Sequence, residues 1–121
     1  MRVAARGALL ELKVRLVLGD RVAIGPGKAD LLEGIAATGS IAGAGRAMAM
    51  SYRRAWLLVE TMNACFREPL VVAARGGRGG GGARLTPLGR RVLERYRRLV
   101  GRAREAIAGD VRALRGALRR R

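Results

Sequence analysis

Early in the chain, Leu12, Val14, Leu16 and Leu18 alternate with Lys13, Arg15 and Val17, and Gly19-Asp20 follows. A period of two places the leucines and valine on one face of a strand, and the Gly-Asp pair suits a turn. A second strand is predicted near residues 21–24, which would close a short hairpin. After Gly25-Pro26-Gly27 the period changes. Leu31, Leu32, Ile35 and Ala36 recur at helical spacing as far as Gly39, predicting a first helix over roughly residues 28–38. Ser40 can cap a second, short helix running from Ile41 to about Met48, on which Ile41, Ala44 and Met48 stand three and four residues apart. Ser51 can cap a third helix, "YRRAWLLVETMNACF", whose buried stripe would be Ala55, Leu58, Val59, Met62 and Phe66.

Residues 70–73 and 83–85 read as two strands around the glycine-rich stretch "ARGGRGGGGAR". Beyond them, Thr86 caps and Pro87 opens a long helical pattern. Its apolar residues are Leu88, Val92, Tyr96, Leu99, Ala103, Ile107, Val111, Leu114 and Leu118, one continuous stripe, while Gly101, Gly109 and Gly116 lie off it and weaken the helix. These elements predict a mainly α chain with small β hairpins. Two helices joined by a tight turn are a helix-turn-helix candidate, and a hairpin directly after them is a wing. The expected organisation is a winged helix-turn-helix domain with an N-terminal hairpin at 1–86 and a long basic amphipathic helix at 87–121. A helix of roughly thirty residues with such a seam exceeds what a small wing domain can cover, so the helix is expected to be a dimerisation helix, with Leu88, Val92, Tyr96, Leu99, Ala103, Ile107, Val111 and Leu114 as its contacts. A helix folded back onto its own core is the alternative. An anionic membrane surface is disfavoured, because the stripe is narrow and holds no Trp or Phe.

Composition adds the partner. The 121 residues are enough for one small domain, and 25 Lys and Arg against 9 Asp and Glu give a net charge of +16. That balance implies a polyanion. Almost all of the positive charge is arginine, with Lys13 and Lys28 the only lysines. The chain has no His, and its single cysteine, Cys65, has no imidazole partner and can form no internal disulfide. Asp and Glu are scattered among basic and polar neighbours. Nothing supports catalysis or a metal site. The N-terminal segment is interrupted by Glu11, Lys13 and Arg15, so it carries no signal-peptide core, and no apolar run is long enough to span a bilayer. A cytoplasmic protein with no membrane partner is expected.

In a helix-turn-helix the N-terminal turn of the second helix enters the major groove of DNA, which here presents Tyr52, Arg53 and Arg54. Arginine can take the O6 and N7 edge of guanine with two hydrogen bonds, and Ser and Tyr hydroxyls suit phosphates or base edges. A solvated helix face accounts for the same arginines equally well. Glycine lets the loop backbone approach a groove closely while Arg75, Arg78 and Arg84 supply charge. A flexible linker is the alternative for that loop. A nucleotide-phosphate cradle is not, because the loop lacks the Lys-Ser/Thr pair and leads into a strand. Trp56 is expected to be a packing anchor rather than a contact to the DNA backbone.

Together, "GSIAGAGRAMAMSYRRAWLLVETMN" and "GGRGGGGARLTPLG" resemble the DNA-binding domain of the ModE family, molybdate-responsive bacterial regulators with a LysR-like winged helix-turn-helix. The resemblance covers most of the chain, from about Leu10 into the early tail. It implies that Ser51, Tyr52, Arg53 and Arg54 face DNA and that Arg75, Arg78 and the glycines carry the wing. With the Ser40 cap, Gly77, Gly79 and Arg84, the expected DNA-binding set is Ser40, Ser51, Tyr52, Arg53, Arg54, Arg75, Gly77, Arg78, Gly79 and Arg84. Where the family has glycine in the turn this chain has Ala49, and Gly43 and Gly45 fall inside the preceding helix, where each is expected to weaken it by ~1 kcal/mol relative to Ala. With the chain ending at Arg121, no molybdate-binding domain and no cofactor are expected. The expected function is a sequence-specific, dimeric transcription regulator that binds double-stranded DNA, with effector sensing lost or delegated to a separate protein. An architectural, sequence-independent DNA-binding protein is the alternative, for which charge alone suffices.

Overall fold

The computed structural model describes residues 2–5, 8–74 and 82–119. In chain order the elements are β1 (Arg2–Ala5), β2 (Ala8–Glu11), β3 (Leu16–Leu18), β4 (Arg21–Ile24), α1 (Pro26–Thr38), α2 (Ile41–Ala47), α3 (Tyr52–Cys65), β5 (Val71–Ala74), β6 (Gly82–Leu85) and α4 (Pro87–Ala117). The strands form three separate antiparallel pairs, β1-β2, β3-β4 and β5-β6. The chain is therefore mainly α with small hairpins and a long C-terminal helix, as its periodicity predicts.

The expected hairpin at Gly19-Asp20 is present, but its first strand is shorter than the alternation suggests. Val14 is half-buried against the core, whereas Leu16, Val17 and Leu18 are all exposed. A register shift between Leu16 and Val17 breaks the period of two, which is what a bulge does to a strand's faces. The β1-β2 hairpin, pairing Val3 with Leu10, is not foreseen by the pattern. Helix α1 begins at Pro26, two residues before the expected start. Proline's fixed φ suits the first helical position, and the N–H it lacks would have had no partner there. At its other end Gly39 is left-handed, φ 74°, and its N–H returns to the Ile35 carbonyl at 2.8 Å.

Side-chain caps define the next two helices. Ser40 Oγ accepts from Gly43 N at 2.8 Å to open α2, and Ser51 Oγ accepts from Arg54 N at 3.1 Å to open α3. Between them Ala49 adopts φ 55°, a left-handed conformation that costs a non-glycine residue on the order of 1 kcal/mol. Tight packing offsets it. Gly45 is the contact point, since a Cβ there would stand 3.2 Å from Ala55 Cβ on α3 and 3.4 Å from the Met50 carbonyl. At Gly43 a Cβ would meet Ser40 Oγ at 2.8 Å. Beside the propensity that the two glycines cost α2, an alanine at Gly43 would press on the Ser40 cap, and one at Gly45 would require Ala55 or the Met50 carbonyl to move by a few tenths of an ångström.

The core is built from Ile24, Leu31, Leu32, Ile35, Ala44, Ala55, Val59, Met62, Leu70, Val71, Ala83, Leu85, Leu88 and Tyr96, with Ala29. Its strands and helices converge on Leu70, which is fully buried. Thr86 N donates to the Leu70 carbonyl at 2.8 Å, and Thr86 Oγ1 caps α4 by accepting from Gly89 N at 2.9 Å. Two of the residues expected on the dimer seam, Leu88 and Tyr96, belong to this core. Tyr96 also donates from its hydroxyl to the Val14 carbonyl at 2.7 Å, tying α4 to the segment before β3. Burial raises the pKa of that phenol, with the charge of neighbouring Arg97 acting in the opposite sense. Val92, Leu93 and Val100 pack against the core from outside, and no later residue of α4 joins it. Residues 101–117 therefore run about 25 Å beyond the core contacts.

Gly89 sits so close to the Leu70 carbonyl that a Cβ would overlap it, whereas Gly101 faces open space. Gly89→Ala is expected to destabilise the fold by about 1 to 3 kcal/mol through overpacking. Gly101→Ala, by contrast, should stabilise it by roughly 0.5 to 1 kcal/mol through helix propensity. Urea denaturation of the two variants measures both signs.

Candidate nucleic-acid interface

Helix α3 presents two faces at the same spacing. Ala55, Val59 and Met62 are buried, and the residues two positions earlier, Arg53, Leu57 and Glu60, are exposed. A shift of two residues is about 200° around a helix, so these three define the face turned away from the core. Tyr52 and Arg54 are also exposed and flank Arg53 on the capped first turn. Among the described residues, neither Arg53 nor Arg54 is held by an ion pair.

Beside α3 lies the β5-β6 hairpin, in register Val71 to Leu85 and Val72 to Arg84. Three ties fix its base. Asn63 on α3 accepts at Oδ1 from Leu70 N at 2.8 Å and Val71 N at 3.2 Å, and its Nδ2 donates to the Val71 carbonyl at 3.0 Å. Ala83 N donates to the Gly39 carbonyl in the turn between α1 and α2 at 2.9 Å. The Thr86 to Leu70 bond closes the third side. Between hairpin and helix is a concavity of about 310 Å³ whose walls include Ser40, Tyr52, Trp56, Asn63, Val72 and Ala83.

The predicted site residues divide accordingly. Ser40 and Tyr52 share the wall of the concavity, Arg53 and Arg54 stand on the exposed turn of α3, and Arg84 is exposed on β6. The hydroxyls of Ser40 and Ser51 are engaged as caps and orient the helix starts. Arg75, Gly77, Arg78 and Gly79 lie outside the described residues. Trp56 corrects the expectation of a packing anchor. It is 42% exposed and sits one turn after Tyr52, 58% exposed, on the flank of α3 that faces the hairpin. Glu60 is exposed, as expected of a solvated acid, whereas Leu57 and Asn63 are not among the expected site residues. For Leu57 the signal was available, since the periodicity that gave the buried stripe also gives its opposite face.

On α4 the remaining seam residues Val92, Ala103, Ile107 and Val111 are half-buried, and Leu99 and Leu114 exposed. Arg97 is withdrawn from the basic flank by its hydrogen bonds to Asp30, 2.8 Å, and Glu33, 3.1 Å. Partial burial works to lower its pKa, but these bonds prevail and raise it. With every partner well exposed, the cluster orients α4 on α1 more than it stabilises the fold. Lys28 is similarly engaged, donating to the Val22 carbonyl at 2.6 Å, and partial burial lowers its pKa. Among the described residues no group of His, Cys, Asp and Glu could hold a metal ion, and no helix is long and apolar enough to cross a membrane.

The class defined by these elements is a mainly α protein in which two capped helices and a tied hairpin together present a basic and aromatic surface. Curated relatives make the class more specific. The chain is 43% identical over 94 residues to the molybdenum transport protein ModE of Azotobacter vinelandii, covering 69% of this chain and 35% of that protein. It is 44% identical over 84 residues to the molybdenum-pterin-binding protein MopA of Rhodobacter capsulatus, covering 69% and 32%. To the DNA-binding transcriptional dual regulator ModE of Escherichia coli (strain K12) it is 37% identical over 86 residues, covering 71% and 33%. No protein-family model matches. These homologues support the ModE family for this chain, which spans about a third of the length of the relatives it matches.

Asn63→Ala would leave the N–H groups of Leu70 and Val71 without their side-chain acceptor. The expected loss is about 1 to 3 kcal/mol of stability. Chemical denaturation checks it, and a variant as stable as the parent would show that water replaces the amide at no cost.

Proposed function

We propose that these residues are the DNA-binding part of a ModE-type transcriptional regulator: a winged helix-turn-helix in which α3 enters the major groove and the β5-β6 hairpin is the wing. The observation that carries this reading is the arrangement of α3. Its Ser51-capped first turn leaves Tyr52, Arg53 and Arg54 exposed, the two arginines without an ion pair among the described residues, next to a hairpin fixed at its base. Exposed arginines with no carboxylate partner suit the edges of guanine and the phosphates of a duplex. The net charge of +16 attracts the polyanion to the whole surface.

In this reading phosphate contacts from Arg84, the wing arginines and the exposed Arg91, Arg95, Arg98 and Arg102 of α4 position the protein, while Arg53 and Arg54 specify the site. The apolar stripe on α4 beyond the core pairs with a second copy, so two α3 helices meet two half-sites. Leu88 and Tyr96 are engaged inside each copy, which leaves Leu99, Ala103, Ile107, Val111 and Leu114 for the pairing.

Selection from a random duplex pool at about 150 mM salt, where non-specific phosphate binding is weakened, tests the reading. The expected product is a two-fold-symmetric motif with half-sites one helical turn, ~34 Å, apart. Arg53→Ala or Arg54→Ala should weaken binding to that motif by about 1 to 3 kcal/mol and relax its sequence, while Arg84→Ala should weaken all duplexes alike. Tight, salt-sensitive binding with no enriched motif would instead identify an architectural DNA-binding protein.

A further inference from the structure

Leu57 occupies the middle of the outward face of α3, one turn after Arg53 and one before Glu60, and it is 47% exposed. A lone exposed leucine is ordinary on a protein surface. This one is not alone. Tyr52, Trp56 and Leu57 are three large apolar side chains left in water on two successive turns of one helix, bordered by Arg53 and Arg54. Tyr52 and Trp56 border the concavity shared with the β5-β6 hairpin, whereas Leu57 stands on the side of α3 opposite the buried Ala55, Val59 and Met62.

The charge pattern says what kind of surface suits it. Arg53 and Arg54 favour an anionic neighbour at the start of α3, but Glu60, on the same outward line as Leu57, repels phosphate. A helix whose centre carries a leucine and a carboxylate is therefore matched to the floor of a groove, where bases present their edges, rather than to its phosphate walls. On that floor the apolar group is the 5-methyl of thymine, which protrudes into the major groove and is met by apolar side chains in direct readout.

Resting on the proposed DNA-reading function, we propose that Leu57 is a further specificity-determining residue, reading the methyl group of a thymine. Four residues of helix rise about 6 Å, and base pairs are stacked about 3.4 Å apart, so that thymine lies within about two base steps of the guanine met by Arg53. The preferred half-site then contains a guanine and a nearby thymine as a coupled pair, one read by charge and hydrogen bonds and the other by apolar contact.

The test uses the full chain and its selected duplex. The guanine is located first, as the position whose preference is lost in Arg53→Ala. Each thymine of the site is then replaced singly by deoxyuridine, which deletes only the methyl group, and binding is measured for the parent and for Leu57→Ala. An exposed alanine in a helix favours the helical state, so the variant keeps its fold. The parent is expected to lose about fourfold in affinity at one thymine within two steps of that guanine, the effect of burying one methyl group. Leu57→Ala should bind thymine and deoxyuridine at that position equally, with its response to every other thymine unchanged. Equal sensitivity in both proteins, or no methyl effect near the guanine, overturns the role of Leu57 while leaving the regulator intact. Absence of any preferred duplex overturns the regulator reading itself, and is seen at the selection step before deoxyuridine is used.

Discussion

The peptide of Leu70 is the junction on which the arrangement depends. Its N–H is held by Asn63 of α3, its carbonyl receives the N–H of Thr86 at the start of α4, its side chain is fully buried, and the first turn of α4 closes over it at Gly89. A buried backbone group without a partner costs several times what a typical hydrogen bond contributes net, so these partners are obligatory rather than additive. Because α3, the β5-β6 hairpin and α4 all meet at one residue, the surface that faces outward from α3 has a fixed relation to the base of the hairpin and to the long helix. Any shift of one of the three must break a bond to Leu70.

The turn between α2 and α3 shows the same economy of space. Helices that approach at Gly45 would hold a Cβ there in tight contact with α3, and the chain reverses within four residues, with Ala49 in a left-handed conformation. Local strain at Ala49 is the counterpart of close packing at Gly45. The two features are coupled, since a longer or looser turn would remove the strain and also the contact that sets the direction of α3.

Much of this was legible in the sequence because periodicity reports burial. The stripe Ala55, Leu58, Val59, Met62, the caps Ser40, Ser51 and Thr86, the stop at Gly39 and the run of α4 all follow from spacing and capping chemistry. What was illegible depends on tertiary contact. Nothing local distinguishes a glycine that weakens a helix, such as Gly101, from one that lets two elements touch, such as Gly45 or Gly89. Trp56 reads as core by type, yet the face it occupies turns toward the hairpin. The alternation through Leu16 and Leu18 does not report burial, because the register shifts between Leu16 and Val17 and both faces of β3 are exposed. Leu88 and Tyr96 look continuous with the outer seam of α4, and only the position of the core decides where the buried part of that stripe ends.

Among the described residues, no residue of the long helix beyond Val100 joins the hydrophobic core, and its course there follows from the helix itself. Each residue turns a helix by about 100° and lengthens it by about 1.5 Å, so residues 101–117 act as a shaft whose phase is fixed at the core end. Substitutions along its exposed side leave that phase untouched. A single insertion or deletion between Gly101 and Val111 would instead rotate everything beyond it by more than a quarter turn. The shaft is thus tolerant in what its solvent-facing residues are and strict in how many there are.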